Sequence, residues 1–210
     1  MRTRIKICGL TREADVAAAC AAGADAVGFV CYPHSPRHVA PERLRALARE
    51  VGPFTVPVLL FVNAAPGLVE SARDAVPTAV LQFHGDEQEP DCARYGAPYV
   101  RAVRMGEGVD LLDCERQFSS AAALLLDTPS EAYGGSGRAF DWSRIPARRS
   151  KPVVLAGGLN SANVMRAVQA VRPYAVDVSS GVEDAPGIKS AARIGDFVDA
   201  VRRADERDPQ

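Results

Sequence analysis

The chain has 210 residues, 47% of them hydrophobic, which suits one large domain spanning residues 1–210 with a sizeable core. A formal net charge of −1 removes the electrostatic case for nucleic acid or an anionic membrane as partner. Five scattered cysteines without a C-x-x-C pair argue against a disulfide framework and a zinc site alike, and point to a reducing, cytoplasmic setting.

Residues 1–4 lead straight into a strand, so no signal peptide is expected, and no apolar run approaches a membrane span. In Ile5-Lys6-Ile7-Cys8 apolar positions alternate with a lysine and a thiol, the period of a strand with two different faces. Gly9 then permits a tight turn. Thr11 is the candidate cap of a helix that carries Glu13 and Asp15 in its first turn and stops at Gly23. A cysteine at such a junction reads either as a small buried hydrophobe or as a thiol with a pKa lowered by the helix N-terminus.

Residues 26–30 form the second strand. Pro41 opens a helix with Leu44 and Leu47 on one face, and Gly52 ends it. Residues 58–62 make the third strand, and Pro66 opens the helix after it. The fourth, fifth and sixth strands fall at 79–84, 99–103 and 124–127. Residues 153–156 make the seventh, with a helix from Asn160 through Val171, and 175–179 the eighth. Ile194, Phe197, Val198 and Val201 line the closing helix.

Strands alternating with helices imply a parallel sheet wrapped by helices, and eight such units favour closure into a single (β/α)8 TIM barrel of the α/β class. The competing doubly wound sheet lacks a G-x-G-x-x-G after its first strand. A barrel places its chemistry at the carboxyl ends of the strands. Cys8, Arg37, Gln82, His84, Asp127, Gly157-Gly158 and Ser180-Gly181 all fall there.

Strand parity sharpens the expectation. Val176 and Val178 turn outward, which points Asp177 and Ser179 into the barrel; Ile5 and Ile7 do the same for Lys6 and Cys8. The first and eighth strands are neighbours only in a closed barrel. Lys6 and Asp177 are therefore expected to meet across that seam, directly or through a water, which sets a positive charge beside the thiol.

Seven segments carry a family resemblance: Lys6-Ile7-Cys8-Gly9, Ser35-Pro36-Arg37, Gln82-Phe83-His84-Gly85-Asp86-Glu87, Leu125-Leu126-Asp127, Gly134-Gly135-Ser136-Gly137 running into Phe140-Asp141-Trp142, Leu155-Ala156-Gly157-Gly158-Leu159, and Asp177-Val178-Ser179-Ser180-Gly181-Val182-Glu183. In this order the chain resembles phosphoribosylanthranilate isomerase, of tryptophan biosynthesis, over nearly its full length. It departs from the family at Cys31, where a bulky apolar residue is usual, and at Ser190, where an acid is common.

The resemblance implies an Amadori rearrangement of an N-glycosidic ribosylamine phosphate, without cofactor or metal. It implies Asp127 as the acid for the furanose oxygen and Cys8 as the base for the C2′ hydrogen, groups that typically contribute roughly 10²–10⁴-fold each. The Cys8 thiolate would then need nearby positive charge, and a protonated Asp127 would need desolvation or a nearby anion. Glycine loops suit the phosphate: Gly157-Gly158 and Ser180-Gly181 are expected to open helices seven and eight, where free backbone N–H groups hold a dianion. Gly134-Gly135-Ser136-Gly137 reads as a mobile loop over the site.

Arg37 is the candidate clamp for an aromatic carboxylate, His84 a polar group near the substrate, and Asp177 a further substrate-side residue. His34 and His38 read as loop residues, because Pro36 between them forbids a regular helix. Asp91 and Glu115 read as solvated surface, and Lys189 as a residue of helix eight. The expected partner is a small phosphosugar, with the protein a monomer or homodimer. Two rivals stay open at this stage: an aldolase or synthase, for which only Lys6 is placed to act, and a non-catalytic binder of phosphorylated ligands.

Overall fold

The computed structural model describes residues 2–129 and 140–206. Eight parallel strands close into a barrel in chain order: β1 (Arg4–Cys8), β2 (Ala26–Val30), β3 (Val56–Phe61), β4 (Val80–Phe83), β5 (Tyr99–Arg104), β6 (Ala123–Asp127), β7 (Val153–Leu155) and β8 (Ala175–Val178). Every strand lies within two residues of its sequence-based bounds. Helices α1 (Glu13–Ala22), α2 (Pro41–Arg49), α3 (Pro66–Ala75), α4 (Glu89–Ala93) and α5 (Leu111–Gln117) follow the first five strands, and α6 (Val164–Val171) and α7 (Ala191–Glu206) follow β7 and β8. After β6, the described residues hold only a 3₁₀ turn at Trp142–Arg144.

The outward strand residues, such as Ile5, Ile7, Phe29, Leu59, Phe61, Leu124 and Val176, join the inner faces of the helices in one core. Inside the barrel, Ala102, Ala123, Leu125, Val154 and Ala175 pack together in the lower part, and Ala156 of the same cluster reaches the rim pocket. Above them lies a polar layer unusual for a barrel interior, with Lys6, Gln82 and Asp177 all less than a tenth exposed.

Three local expectations are corrected. Thr11 does not cap α1: the cap position is Arg12, and the Thr11 hydroxyl donates to the Gly187 carbonyl at 2.6 Å. A two-stranded antiparallel hairpin, β9 (Glu183–Ala185) with β10 (Ile188–Lys189), stands between β8 and α7, so Lys189 is a buried strand residue. Glu115 is also buried, and its carboxylate accepts from the Ser150 N–H and hydroxyl and the Lys151 N–H. Asp91 is exposed, as expected, and completes a capping box with Gln88 at the start of α4.

Candidate active site

A pocket at the carboxyl end of the barrel collects Cys8, Arg37, His84, Asp127, Gly157, Gly158, Asp177 and Ser180. Sequence reasoning named all of these. It missed the apolar wall of Val30, Leu60 and Val62, with Tyr32 packed against it, on the Cys8 side of the pocket. Period-two parity carried that signal, since Phe29, Leu59 and Phe61 between these residues face the helices.

Cys8 sits beside Gly28 of β2, its register partner. A Cβ on Gly28 would stand 2.8 Å from the Cys8 Sγ and 3.2 Å from the Lys6 Nζ, so a side chain is excluded and thiol and ammonium share one space. Lys6, beside the thiol, donates to Asp177 Oδ1 at 2.9 Å, the cross-seam pair expected from parity. Burial acts against the lysine charge, but the Asp177 carboxylate and Cys8 outweigh it and hold the Lys6 pKa above its ordinary value. Asp177 lines the pocket, with Oδ1 taken by Lys6.

The thiol itself departs from expectation. Burial pushes the Cys8 pKa up, and the pull of Lys6 and Lys189 in the other direction only partly offsets it. Helix α1 begins at Glu13, five residues on, too far for its N-terminus to decide the matter.

Asp127 ends β6, with Oδ1 accepting from the Thr128 N–H at 2.8 Å and Oδ2 3.1 Å from His84 Nε2. The other ring nitrogen, Nδ1, lies 3.2 Å from the Gln82 amide nitrogen. The Gln82 Oε1 is buried without a partner. In this arrangement Nδ1 accepts and Nε2–H donates to the carboxylate. Turning the Gln82 amide over would put an acceptor on Nδ1–H and leave Nε2 to accept from a protonated Asp127.

Arg37 presents its fork to Glu183, Nε to Oε1 at 2.8 Å and Nη2 to Oε2 at 2.7 Å. Gly157 and Gly158 have φ of 80° and 65°, and a Cβ on Gly157 would stand 2.6 Å from the Thr128 nitrogen and 2.9 Å from the Asp127 Oδ1. The glycine pair does not open α6, which starts at Val164. Ser180 and Gly181 open a separate 3₁₀ turn, Ser180–Val182, rather than the closing helix. A Cβ on Gly181 would collide with the Leu159 carbonyl, so the two glycine loops pack against each other. Gly134, Gly135, Ser136 and Gly137 lie outside the described residues.

A closed parallel barrel with thiol, carboxyl and glycine loops gathered at its carboxyl rim has the architecture of a (β/α)8-barrel enzyme. The family model for N-(5'phosphoribosyl)anthranilate (PRA) isomerase matches residues 5–200. The N-(5'-phosphoribosyl)anthranilate isomerase of Methylibium petroleiphilum is 59% identical over 207 residues, covering 99% of this chain and 97% of that protein. The chain belongs to the PRA isomerase family.

Among solved structures, the phosphoribosyl anthranilate isomerase of Thermotoga maritima is 40% identical with a TM-score of 0.86, covering 96% of this chain and 99% of that one. A second, 35% identical with a TM-score of 0.80 over 96% and 99% of the two chains, is a PRA isomerase in complex with reduced 1-(o-carboxyphenylamino)-1-deoxyribulose 5-phosphate.

Proposed function

We propose that this chain converts N-(5'-phosphoribosyl)anthranilate to 1-(2-carboxyphenylamino)-1-deoxyribulose 5-phosphate in tryptophan biosynthesis, with Asp127 as general acid and Cys8 as general base. The observation that carries the reading is a single pocket in which both groups meet an arginine, an apolar wall and two glycine loops. Such a pocket suits a ligand with a phosphate at one end and an aromatic acid at the other. The glycine backbone would take the phosphate, and Val30, Leu60, Val62 and Arg37 the anthranilate.

The steps balance without a cofactor. Asp127 gives its proton to the ring oxygen, the C1′–O bond breaks, and the anilino nitrogen supplies the electrons to form a protonated Schiff base. The Cys8 thiolate takes the C2′ proton, and that electron pair moves into the C1′–C2′ bond, leaving an enolamine. Ketonisation passes the C2′ hydroxyl proton to Asp127 and protonates C1′ from the Cys8 thiol, restoring both groups. The Gln82–His84 arm suits an acid that changes protonation state in each cycle, because amide and ring can reverse their donor roles together. Lys6 supports the base by holding positive charge against the thiolate.

The rival readings fit the site less well. An aldolase would need a reactive lysine, and Lys6 is locked on Asp177; a mere binder has no need of thiol and carboxyl together. Residues 1–210 act as one domain in this reading. The protein is read as a monomer or a homodimer. Among the described residues no helix is long and apolar enough to cross a membrane, in keeping with a reaction placed in the cytoplasm. The test is turnover: loss of anthranilate-type fluorescence on adding purified protein to the ribosylamine supports the reading, and stable fluorescence contradicts it.

A further inference from the structure

Glu183 belongs to the last of the seven motif segments, yet no step of the rearrangement uses it. It sits in the β9–β10 hairpin with its side chain 5% exposed, at the centre of a buried charge cluster. Its Oε2 accepts from Arg37 Nη2 at 2.7 Å. Its Oε1 accepts from Arg37 Nε at 2.8 Å, Lys189 Nζ at 2.7 Å and the Gly187 N–H at 3.2 Å. Lys189, whose side chain has no exposed surface, also donates to the Ser179 carbonyl at 3.1 Å. The cluster thus ties the hairpin to the end of β8, next to the Ser180-Gly181 turn.

We propose that Glu183, braced by Lys189, is the positioning residue that presents Arg37 to the substrate's aromatic carboxylate, and so sets the preference for a carboxylated arylamine. The proposal rests on the reading of Arg37 given above. Three observations support it.

Exposure is graded toward the pocket. The side chains of Lys189, Glu183 and Arg37 are 0%, 5% and 15% exposed in turn, so only the arginine reaches a ligand. Second, the clamp takes one edge of the guanidinium, Nε and Nη2, and leaves Nη1 outside the grip of Glu183. An arginine fixed in this way has already lost the rotamer freedom that binding would otherwise cost. Third, the cluster sets two cations on one carboxylate, a combination suited to an incoming anion.

The fold makes room for this arrangement. Gly9 has φ of 77°, and a Cβ there would collide with the Arg37 side chain; a Cβ on Gly187 would stand 3.1 Å from the Pro36 carbonyl. The hairpin therefore rests directly on the loop that carries Arg37. A stability-only ion pair would not call for that contact.

The experiment measures affinity for two probes, the product analogue reduced 1-(o-carboxyphenylamino)-1-deoxyribulose 5-phosphate and its equally reduced anilino counterpart without the carboxylate. The proteins are wild type, Arg37→Ala, Glu183→Gln, the double variant and Lys189→Met. Glu183→Gln should reduce the preference for the carboxylated probe by about ten- to a hundredfold, as misplaced binding groups do. It should leave the anilino probe within about twofold, and it should add little to Arg37→Ala. Lys189→Met, which keeps the Arg37–Glu183 pair, should lose part of the preference and serves where Glu183→Gln folds poorly.

If Arg37→Ala loses the preference while Glu183→Gln and Lys189→Met retain it, the clamp is overturned and the Arg37 reading survives. Equal weakening of both probes in Glu183→Gln also overturns it, since that marks a purely structural pair. If Arg37→Ala itself keeps the preference, the carboxylate reading fails and the clamp fails with it.

Discussion

Lys6 Nζ and Asp177 Oδ1 meet at 2.9 Å inside the barrel, joining the first strand to the eighth where the sheet closes. Both side chains are about a tenth exposed or less, so each needs the other. Breaking a buried pair by removing one partner costs about 3–5 kcal/mol. Asp177→Leu is expected to lose stability of that order in urea unfolding, and to change the pH profile of activity through the unpaired Lys6. A variant as stable as wild type would show that the seam does not depend on this pair.

The raised pKa of Cys8 fixes the sign of the pH dependence. A general base acts deprotonated, so kcat/KM should climb on an alkaline limb, and burial places that limb above the ordinary thiol range. Lys6 pulls in the other direction. Lys6→Met is therefore expected to move the limb to higher pH and lower the rate at neutral pH. A limb that stays put in Lys6→Met would remove the lysine from thiolate support.

Arg37→Ala should raise KM more than it lowers kcat, because a carboxylate clamp acts on ground state and transition state alike. Steady-state kinetics decide the point. An unchanged KM would mean that the aromatic acid is held elsewhere.

Glu115 gives a stability test away from the chemistry. Burial alone would raise its pKa, but the bonds from Ser150 and Lys151 outweigh that and hold it below the usual glutamate value. A depressed folded pKa contributes stability that is full above the unfolded pKa, about 4.3, and is lost as pH falls through the folded value. Glu115→Ala should cost about 1–3 kcal/mol at neutral pH. Its gap from wild type should close on acidification. A gap independent of pH would contradict the ionic part of the argument.

Barrel, strand ends and rim residues were legible because they obey short-range rules. Alternation separates inward Lys6, Cys8 and Asp177 from outward Ile5, Ile7 and Val176, and closure makes Lys6 and Asp177 neighbours although 171 positions separate them. Connections that depend on distant loops were not legible. Thr11 looked like a cap because no local pattern announces that Gly187, far along the chain, takes its hydroxyl. Lys189 looked helical because the two residues of β10 are too few to show a period. Glu115 looked solvated, since nothing in its own helix reveals the loop that folds over it. The pKa of Cys8 went astray for a related reason: sequence showed a helix ahead of the thiol but not how deeply the thiol is buried.

The central claim is that Cys8 and Asp127 carry the proton transfers. Its most direct test is the turnover number of purified, folded Cys8→Ala and Asp127→Asn on N-(5'-phosphoribosyl)anthranilate, followed by fluorescence. Each variant should fall by about 10² or more with its melting transition still cooperative. Wild-type turnover in either variant would contradict the role given to that residue.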